Sequence, residues 1–530
     1  MIYHYFFSVL IAALVSRAAT ASFAESCRSF SVKLADNNTP PGGIVEYVSA
    51  GTDLPLPYND PSCNRPNQTV TADLCRIALD VSTSNLSSVV LELWLPRNWT
   101  GRFLATGNGG IDGCIKYEDL AYGAAHGFAV VGSNNGHNGT SGRAFYQNED
   151  VVIDFSWRAL HTIVEIGKNL TSRFYGYPHR TSYYLGCSLG GRQGINAADR
   201  FPGDFDGIVA GSPAVDFNNL VSWRASFFPL TGSYNSSEFI TRAQWTGLIH
   251  DEILRQCDGI DGVWDGIIED PTLCHFHPDP LACTTTAHKE NCLSAVQIET
   301  VRRIFSPLLA GDGELIFPAM QPGSEDLAVE RLYAGKPFSY SEDWFKYVVF
   351  DPSWNPAYFN LYDAETADAL NPAEIRTWPS DLSAFHARGG KMITFHGQQD
   401  NQITSFNSIR FYDRLAAGGM QTGAEQMEAF FRFFRISGMF HCNTGPGAWV
   451  VGQGGGASAA GIPFARENNV LAALVAWVED EIAPDTILGT KFVNDEVGRG
   501  IQMQRRHCRY PLRNTYIGGN ASLPDSWMCL

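Results

Sequence analysis

Apolar positions along this chain recur with two periods, and the alternation between them predicts the fold. Short apolar runs of strand length stand at FLATG (103–107), FAVVGSN (128–134), SYYLG (182–186) and DGIVAGS (206–212). Between the second and third, Leu160, Ile163, Val164, Leu170 and Phe174 fall at helical spacing and predict a crossover helix within 156–174. GGRQGINAADRFP, just after SYYLG, predicts another helix, stopped by Pro202. Strands alternating with helices predict an α/β fold built on a mostly parallel sheet.

The alternation lapses after about Pro213 into aromatic-rich, loop-rich sequence with four cysteines between 257 and 292. It resumes with a strand at KMITFHG (391–397), a helix around 408–417, a strand at FFRFFRIS (430–437) and a helix at VLAALVAWVED (470–480). The interval reads as an insertion, so residues 22–213 and 376–530 form one core domain and 214–375 a second, inserted one. A chain of 530 residues, 44% hydrophobic and 18% charged, has apolar content enough for both.

The amino end places an apolar core from Phe6 to Val15 ahead of the small-x-small site Ala19-Thr20-Ala21, the pattern of a secretory signal peptide over residues 1–21. That apolar run is too short to span a bilayer, and no later segment is long enough. Export is also expected from eight Asn-x-Ser/Thr sequons, at Asn37, Asn67, Asn85, Asn98, Asn138, Asn169, Asn235 and Asn520. The twelve cysteines form an even set without zinc spacing, so an oxidising, extracellular compartment would let all of them pair. A formal charge of −17 opposes binding to nucleic acid or to an anionic membrane and suits a neutral substrate better.

Candidate chemistry centres on GCSLGG, which sets Ser188 in a small-x-Ser-x-small turn between a predicted strand and a predicted helix. A serine on such a strand-to-helix corner exposes its hydroxyl to a histidine, and the next backbone N–H, that of Leu189, faces a developing oxyanion. The chemistry implied is acyl transfer. Where nucleophile, acid and base follow in that chain order, Asp400 is the candidate acid, because it follows the strand at 391–397 directly. Of thirteen histidines only His441 and His507 lie beyond Asp400. His441, in the glycine-bounded SGMFHCNTG after a predicted strand, is placed as a loop-borne base, whereas His507 in QRRHCRYP reads as structural or surface. Cys187 immediately precedes Ser188 and Cys442 immediately follows His441, so a disulfide between them would tie nucleophile to base across about 255 residues.

GCSLGGRQG, TGNGG (106–110), PRNWTGRF, KYVVFD, RISGMFHC and RRHCRYP, together with the Cys-Ser and His-Cys pairs flanking an intervening aspartate, resemble the fungal tannase and feruloyl esterase family over nearly the whole mature chain. The likeness is greatest to its type B feruloyl esterases. The resemblance implies an α/β-hydrolase core with a large lid, a Ser188–Asp400–His441 triad bridged by Cys187 and Cys442, and a second oxyanion donor from the 107–110 turn, for which Gly109 is the candidate. It implies five further disulfides, pairing Cys27 with Cys75, Cys63 with Cys114, Cys257 with Cys274, Cys283 with Cys292, and Cys508 with Cys529. Asp258, Asp261 and Asp265 are spaced by glycines so that their carboxylates and the Val263 and Ile267 carbonyls can gather on a hard cation. The spacing is not that of an EF-hand and alone favours a solvated acidic turn. Likeness to the family's lid implies structural calcium there, and no organic cofactor. The expected substrate is a hydroxycinnamate ester of a plant cell-wall sugar or a small alcohol. Galloyl esters and chlorogenate-type aryl esters are the alternatives. The lid's only dibasic pair, Arg302-Arg303, reads as helix rather than the processing site of a typical tannase.

Overall fold

The computed structural model describes residues 22–31, 43–284, 291–418, 424–456 and 461–530. The expected signal peptide and Asn37 lie outside them. One nine-stranded sheet runs through the molecule, built from β1 (Ile44–Val48), β2 (Leu74–Ser82), β3 (Ser88–Pro96), β4 (Arg102–Thr106), β5 (Phe128–Ser133), β6 (Thr181–Cys187), β7 (Gly207–Gly211), β8 (Lys391–Gly397) and β9 (Phe431–Ile436). Its order is β1-β2-β3-β5-β4-β6-β7-β8-β9. From β5 to β9 every neighbour is parallel, while β1, β2, β3 and β5 pair antiparallel. All six parallel strands coincide with the apolar runs of the sequence. Helices cover both faces there, so the runs need no polar alternation, and β5 and β7 are buried throughout. The antiparallel strands are harder to read because charge interrupts them: Arg76 of β2 and Glu92 of β3 are both buried, with Nε to Oε2 at 2.7 Å.

The helices that pack on the sheet are α1 (Tyr117–Ala125), α2 (Ala159–Tyr175) and α3 (Leu189–Arg200) in the first half. The crossover α2 continues from a π-turn at Asp154–Arg158 and ends where Gly176, at φ 83°, turns left-handed. Between β7 and β8 no described residue joins the sheet. That interval holds α4 (Phe217–Thr231), α5 (Ala295–Ile304), α6 (Ser339–Trp344) and a two-stranded ribbon, Leu308–Leu309 with Leu315–Phe317. It is more helical than its loop-rich composition suggests. α4 is buried on nearly every side, so it lacks the single apolar stripe by which a helix is recognised. Its core gathers Trp223, Trp245, Tyr333 and Trp344, and Arg302-Arg303 lies within α5 as expected. The chain finishes with α7 (Phe406–Gly418), α8 (Val470–Asp480) and a hairpin of β10 (Thr486–Phe492) and β11 (Ile501–Cys508).

All twelve cysteines are paired, in the combinations that the resemblance implies. Cys27–Cys75 ties the first described segment to the start of β2, and Cys63–Cys114 fastens the loop before β2 to the loop after β4. Cys187–Cys442 spans the insertion. Cys257–Cys274 and Cys283–Cys292 close short loops within the inserted segment, and Cys508–Cys529 holds the last residues to the end of β11. Among the described residues no helix is long and apolar enough to cross a membrane.

Candidate active site

Ser188 stands on the corner where β6 ends and α3 begins, at φ 65°, ψ −121°. A non-glycine residue there is strained by about 1–3 kcal/mol, which its surroundings must offset. The Ser188 N–H donates to the Gly211 carbonyl at 2.9 Å, and its own carbonyl accepts from Ala214 at 3.0 Å and Arg192 at 3.1 Å. The flanking glycines follow from this crowding. A Cβ on Gly191 would lie 2.4 Å from the Gly211 carbonyl oxygen, and one on Gly186 would lie 2.8 Å from the backbone of Gly190. The N–H of Leu189 has no partner among the described residues.

The 107–110 turn packs against the start of α3. The Gly190 N–H donates to the Asn108 carbonyl at 3.0 Å, and the Asn108 N–H donates to Gln193 Oε1 at 3.0 Å. The Asn108 side chain donates to the carbonyls of Cys114 and Ser133. Gly109 faces the buried Asp112 carboxyl, which burial pushes up to about 6 while Arg65 and Lys116, and less so the N–H groups of Cys114 and Gly109, hold it back. The N–H groups of Gly109 and Gly110 both lack a hydrogen-bond partner among the described residues, with the Asp112 carboxyl drawing weakly on that of Gly109.

Asp400 follows β8 and is fully buried. Its Oδ1 accepts the N–H groups of Gln402 at 2.8 Å and Ile403 at 2.9 Å, and its Oδ2 faces His441 Nδ1 at 2.7 Å. Burial opposes its ionisation, but His441 and His396 outweigh that and hold it well below the usual carboxylate range. His441 follows β9 on a loop that touches the end of β8 backbone to backbone, for a Cβ on Gly397 would lie 2.4 Å from the carbonyl oxygens of Met439 and Phe440. Desolvation lowers the His441 imidazole below its ordinary value despite the pull of Asp400, so it rests neutral. The Cys187–Cys442 bridge, with Cα atoms 6.3 Å apart, brings the residues next to Ser188 and His441 together. Ser188, Gly109, Gly110 and His441 each keep partial exposure amid buried neighbours, so the site opens to solvent. His507 is instead buried in β11, its Nε2 on the Ala448 carbonyl at 2.9 Å and its imidazole pushed down to about 4 by burial, so it is structural rather than surface.

Three neighbours of this group are not singled out by the sequence. His396, on β8, places Nε2 3.1 Å from Asp400 Oδ2; its signal is a polar residue inside a buried apolar strand. Gln321 of the insertion donates its side-chain amide to the Asp400 carbonyl and accepts the Ser405 N–H at 3.1 Å. Arg224 of α4 donates Nε to the Gln402 carbonyl at 2.8 Å. Neither has a local sequence signal, because each reaches Asp400's loop from far along the chain.

The acidic loop reaches the Asp400 loop at its end, where the Ile268 carbonyl accepts the Gln399 side-chain amide at 2.7 Å. The Asp258 carboxylate accepts the Gly266 N–H, Asp261 Oδ1 that of Val263 at 2.9 Å, and Asp265 Oδ1 that of Ile267 at 3.2 Å. Asp265 Oδ2 and Glu269 share Arg505, each at 2.8 Å. Among the described residues no three His, Cys, Asp or Glu side chains converge as a metal centre. The donor chemistry nonetheless fits a hard cation: Asp261 Oδ2 is buried without a partner, and Asp261 is pushed up to about 6 by burial, with Glu269 and Asp265 adding to it.

Residues 75–530 match the model of the family described as tannase and feruloyl esterase. The chain belongs to the tannase and feruloyl esterase family. Within it, a probable feruloyl esterase B-2 from Aspergillus flavus is 64% identical over 491 residues, 93% of this chain and 94% of that protein. One of the same name from Aspergillus terreus is 48% identical, over 99% of each. The crystal structure of feruloyl esterase B from Aspergillus oryzae superposes with a TM-score of 0.89 at 44% identity, over 96% of this chain and all of that one. A tannin acyl hydrolase from Aspergillus niger, at 21% identity and a TM-score of 0.71, shares the α/β-hydrolase fold.

Proposed function

We propose that this protein is a secreted feruloyl esterase, a serine carboxylesterase that splits hydroxycinnamate esters through an acyl-enzyme. The observation that carries the reading is the 2.7 Å contact of His441 with Asp400, disulfide-tied beside the strained Ser188 elbow. His441, neutral at rest, takes the Ser188 proton as the hydroxyl attacks the ester carbonyl, and Asp400 holds the ring and stabilises the imidazolium. The oxyanion is met by the Leu189 N–H and by the glycine turn, through Gly109 or, where Asp112 keeps that donor, Gly110. His441 protonates the leaving alcohol, and water then releases the acid. The names and close similarity of the relatives support feruloyl rather than galloyl esters.

Export is supported by the six disulfides and by the exposure of all seven described sequon asparagines. Residues 214–375 are read as the lid, since they interrupt the sheet and lean on the acid loop through Gln321 and Arg224. Structural calcium is proposed at Asp258, Asp261 and Asp265 with the carbonyls of Val263 and Ile267, on the unpartnered Asp261 oxygen and the crowding of carboxylates. The decisive experiment compares hydrolysis of methyl ferulate and methyl gallate by the secreted protein, with Ser188→Ala as blank. Ferulate preference lost in the variant is expected. Gallate preference would make the enzyme a tannase, and activity surviving in Ser188→Ala would remove Ser188 from the mechanism.

A further inference from the structure

The lid helix α4 carries a buried cation that makes no ion pair among the described residues. Arg224 is 5% exposed, and its Nε is spent on the Gln402 carbonyl. Its two η nitrogens have no hydrogen-bond or ion-pair partner among the described residues, yet they are not sealed in and keep contact with solvent. The other buried arginines differ. Arg76 has Glu92, and Arg505 has Asp265 and Glu269. Arg192 spends both η nitrogens on backbone carbonyls and the Thr377 hydroxyl. Water meets these η nitrogens in the open site, so a substrate that closes over them must supply a partner of its own or leave a buried charge unpaired.

The position of Arg224 shows where that partner would come from. Its guanidinium lies in electrostatic range of both Asp400, which favours its charge, and His441, whose protonation it disfavours. It sits 5.2 Å from the Phe338 ring centre, and Phe338 meets Tyr340 edge-on at 5.0 Å. Tyr340 in turn covers Gly110 so closely that a Cβ there would lie 2.5 Å from its ring. Arg224, Phe338 and Tyr340 therefore form a lid wall from the acid loop to the glycine turn, the two sides of the Ser188 elbow. A phenol on the substrate is neutral near pH 7, so it would leave the guanidinium unpaired, whereas a carboxylate matches its planar fork. The acidic chain repels anions at long range, so selection of one must come from such a local cation.

We propose that Arg224 binds a carboxylate carried by the substrate, so that the enzyme takes aryl esters bearing a free acid group in preference to the neutral ester of the same size. This rests on the reading of Ser188, Asp400 and His441 as an esterase site. The test is calorimetric binding of chlorogenate, a caffeoyl ester whose alcohol half carries a carboxylate, and of its methyl ester to full-length Ser188→Ala protein. Chlorogenate is expected to bind at least tenfold more tightly. Adding Arg224→Gln should bring the two ligands within twofold, and Arg224→Lys, which keeps the charge without the fork, should fall between. Equal affinities in the Arg224-intact protein, or a preference that survives Arg224→Gln, would overturn the proposal. The first of these needs no Arg224 variant to fold. Hydrolysis of methyl ferulate by the wild type judges the esterase reading separately, because the binding contrast requires no turnover.

Discussion

Asp400 Oδ2 serves two imidazoles at once. His396 Nε2 faces two acceptors, Asp400 Oδ2 at 3.1 Å and the Ile403 carbonyl at 3.0 Å, so it must carry a proton. Its Nδ1 then accepts from the Ser408 hydroxyl at 2.7 Å when the ring is neutral. With the two backbone N–H groups on Oδ1, Asp400 accepts from four donors, and the other three aim the carboxylate at His441 Nδ1. Asp400→Asn should lower kcat about 10⁴-fold and also lower the melting temperature, since the amide nitrogen replaces a buried oxygen that accepts two donors. The acid limb of kcat/KM should have its midpoint below the ordinary imidazole value of about 6.5, because desolvation lowers His441 and the neutral base survives to lower pH. His396→Phe should cost on the order of tenfold in kcat and move that limb to higher pH, since His396 contributes to lowering His441. A pH–rate profile that stays in place would make His396 a packing residue. The Ser188 corner and the Asp400–His441 contact are legible in the sequence because chain order and loop position single those residues out. His396 is not, because its role depends on a ring orientation that appears only once β8 is buried.

At the scale of elements, the loops that carry Asp400 and His441 are fixed by close contact and by a covalent tie. Gly397 ends β8 where the chain of 439–440 passes over it, and any Cβ would meet two carbonyl oxygens at 2.4 Å. Gly397→Ala should therefore destabilise by about 1–3 kcal/mol and, by lifting the loop that carries His441, lower kcat disproportionately. Thermal unfolding and steady-state rates measured on the same preparation separate the two effects; an unchanged rate would mean that the loop does not depend on this contact. The Cys187–Cys442 bridge closes 255 residues of chain, so replacing both cysteines by serine should cost about 5 kcal/mol in the chain-entropy model. The parallel half of the sheet is readable because strands buried on both faces are written as plain apolar runs. The antiparallel half is not, because Arg76 and Glu92 neutralise each other only after β2 and β3 are paired. The helices of the inserted segment are hidden for the opposite reason: α4 is apolar on so many sides that no face stands out.

For the molecule as a whole, the acidic loop bears first on stability, since it meets the Asp400 loop through Gln399, whose amide donates to the Ile268 carbonyl, rather than through Asp400 itself. Asp258 and Asp261 are both raised in the folded chain, Asp261 to about 6, mainly by burial. Unfolded, each would titrate near 3.9, so between about pH 4 and pH 6 the folded state holds protons that the unfolded state has released. Without a cation, stability should therefore fall as pH rises through that window and then level off. A calcium ion needs the same carboxylates ionised, so its affinity should grow over the same range. Its stabilisation should be larger at pH 7 than at pH 4.5, reaching about 2.7 kcal/mol at one hundred times Kd. Calorimetric unfolding after chelation, with and without added calcium at the two pH values, reads this difference. Asp261→Asn supplies the opposing sign: it removes a buried charge, so the chelated protein should melt higher at pH 7 than the chelated wild type while losing its response to calcium. A melting temperature at pH 7 that ignores both chelation and calcium would show that the loop closes on Arg505 alone, through Asp265 and Glu269, and holds no ion.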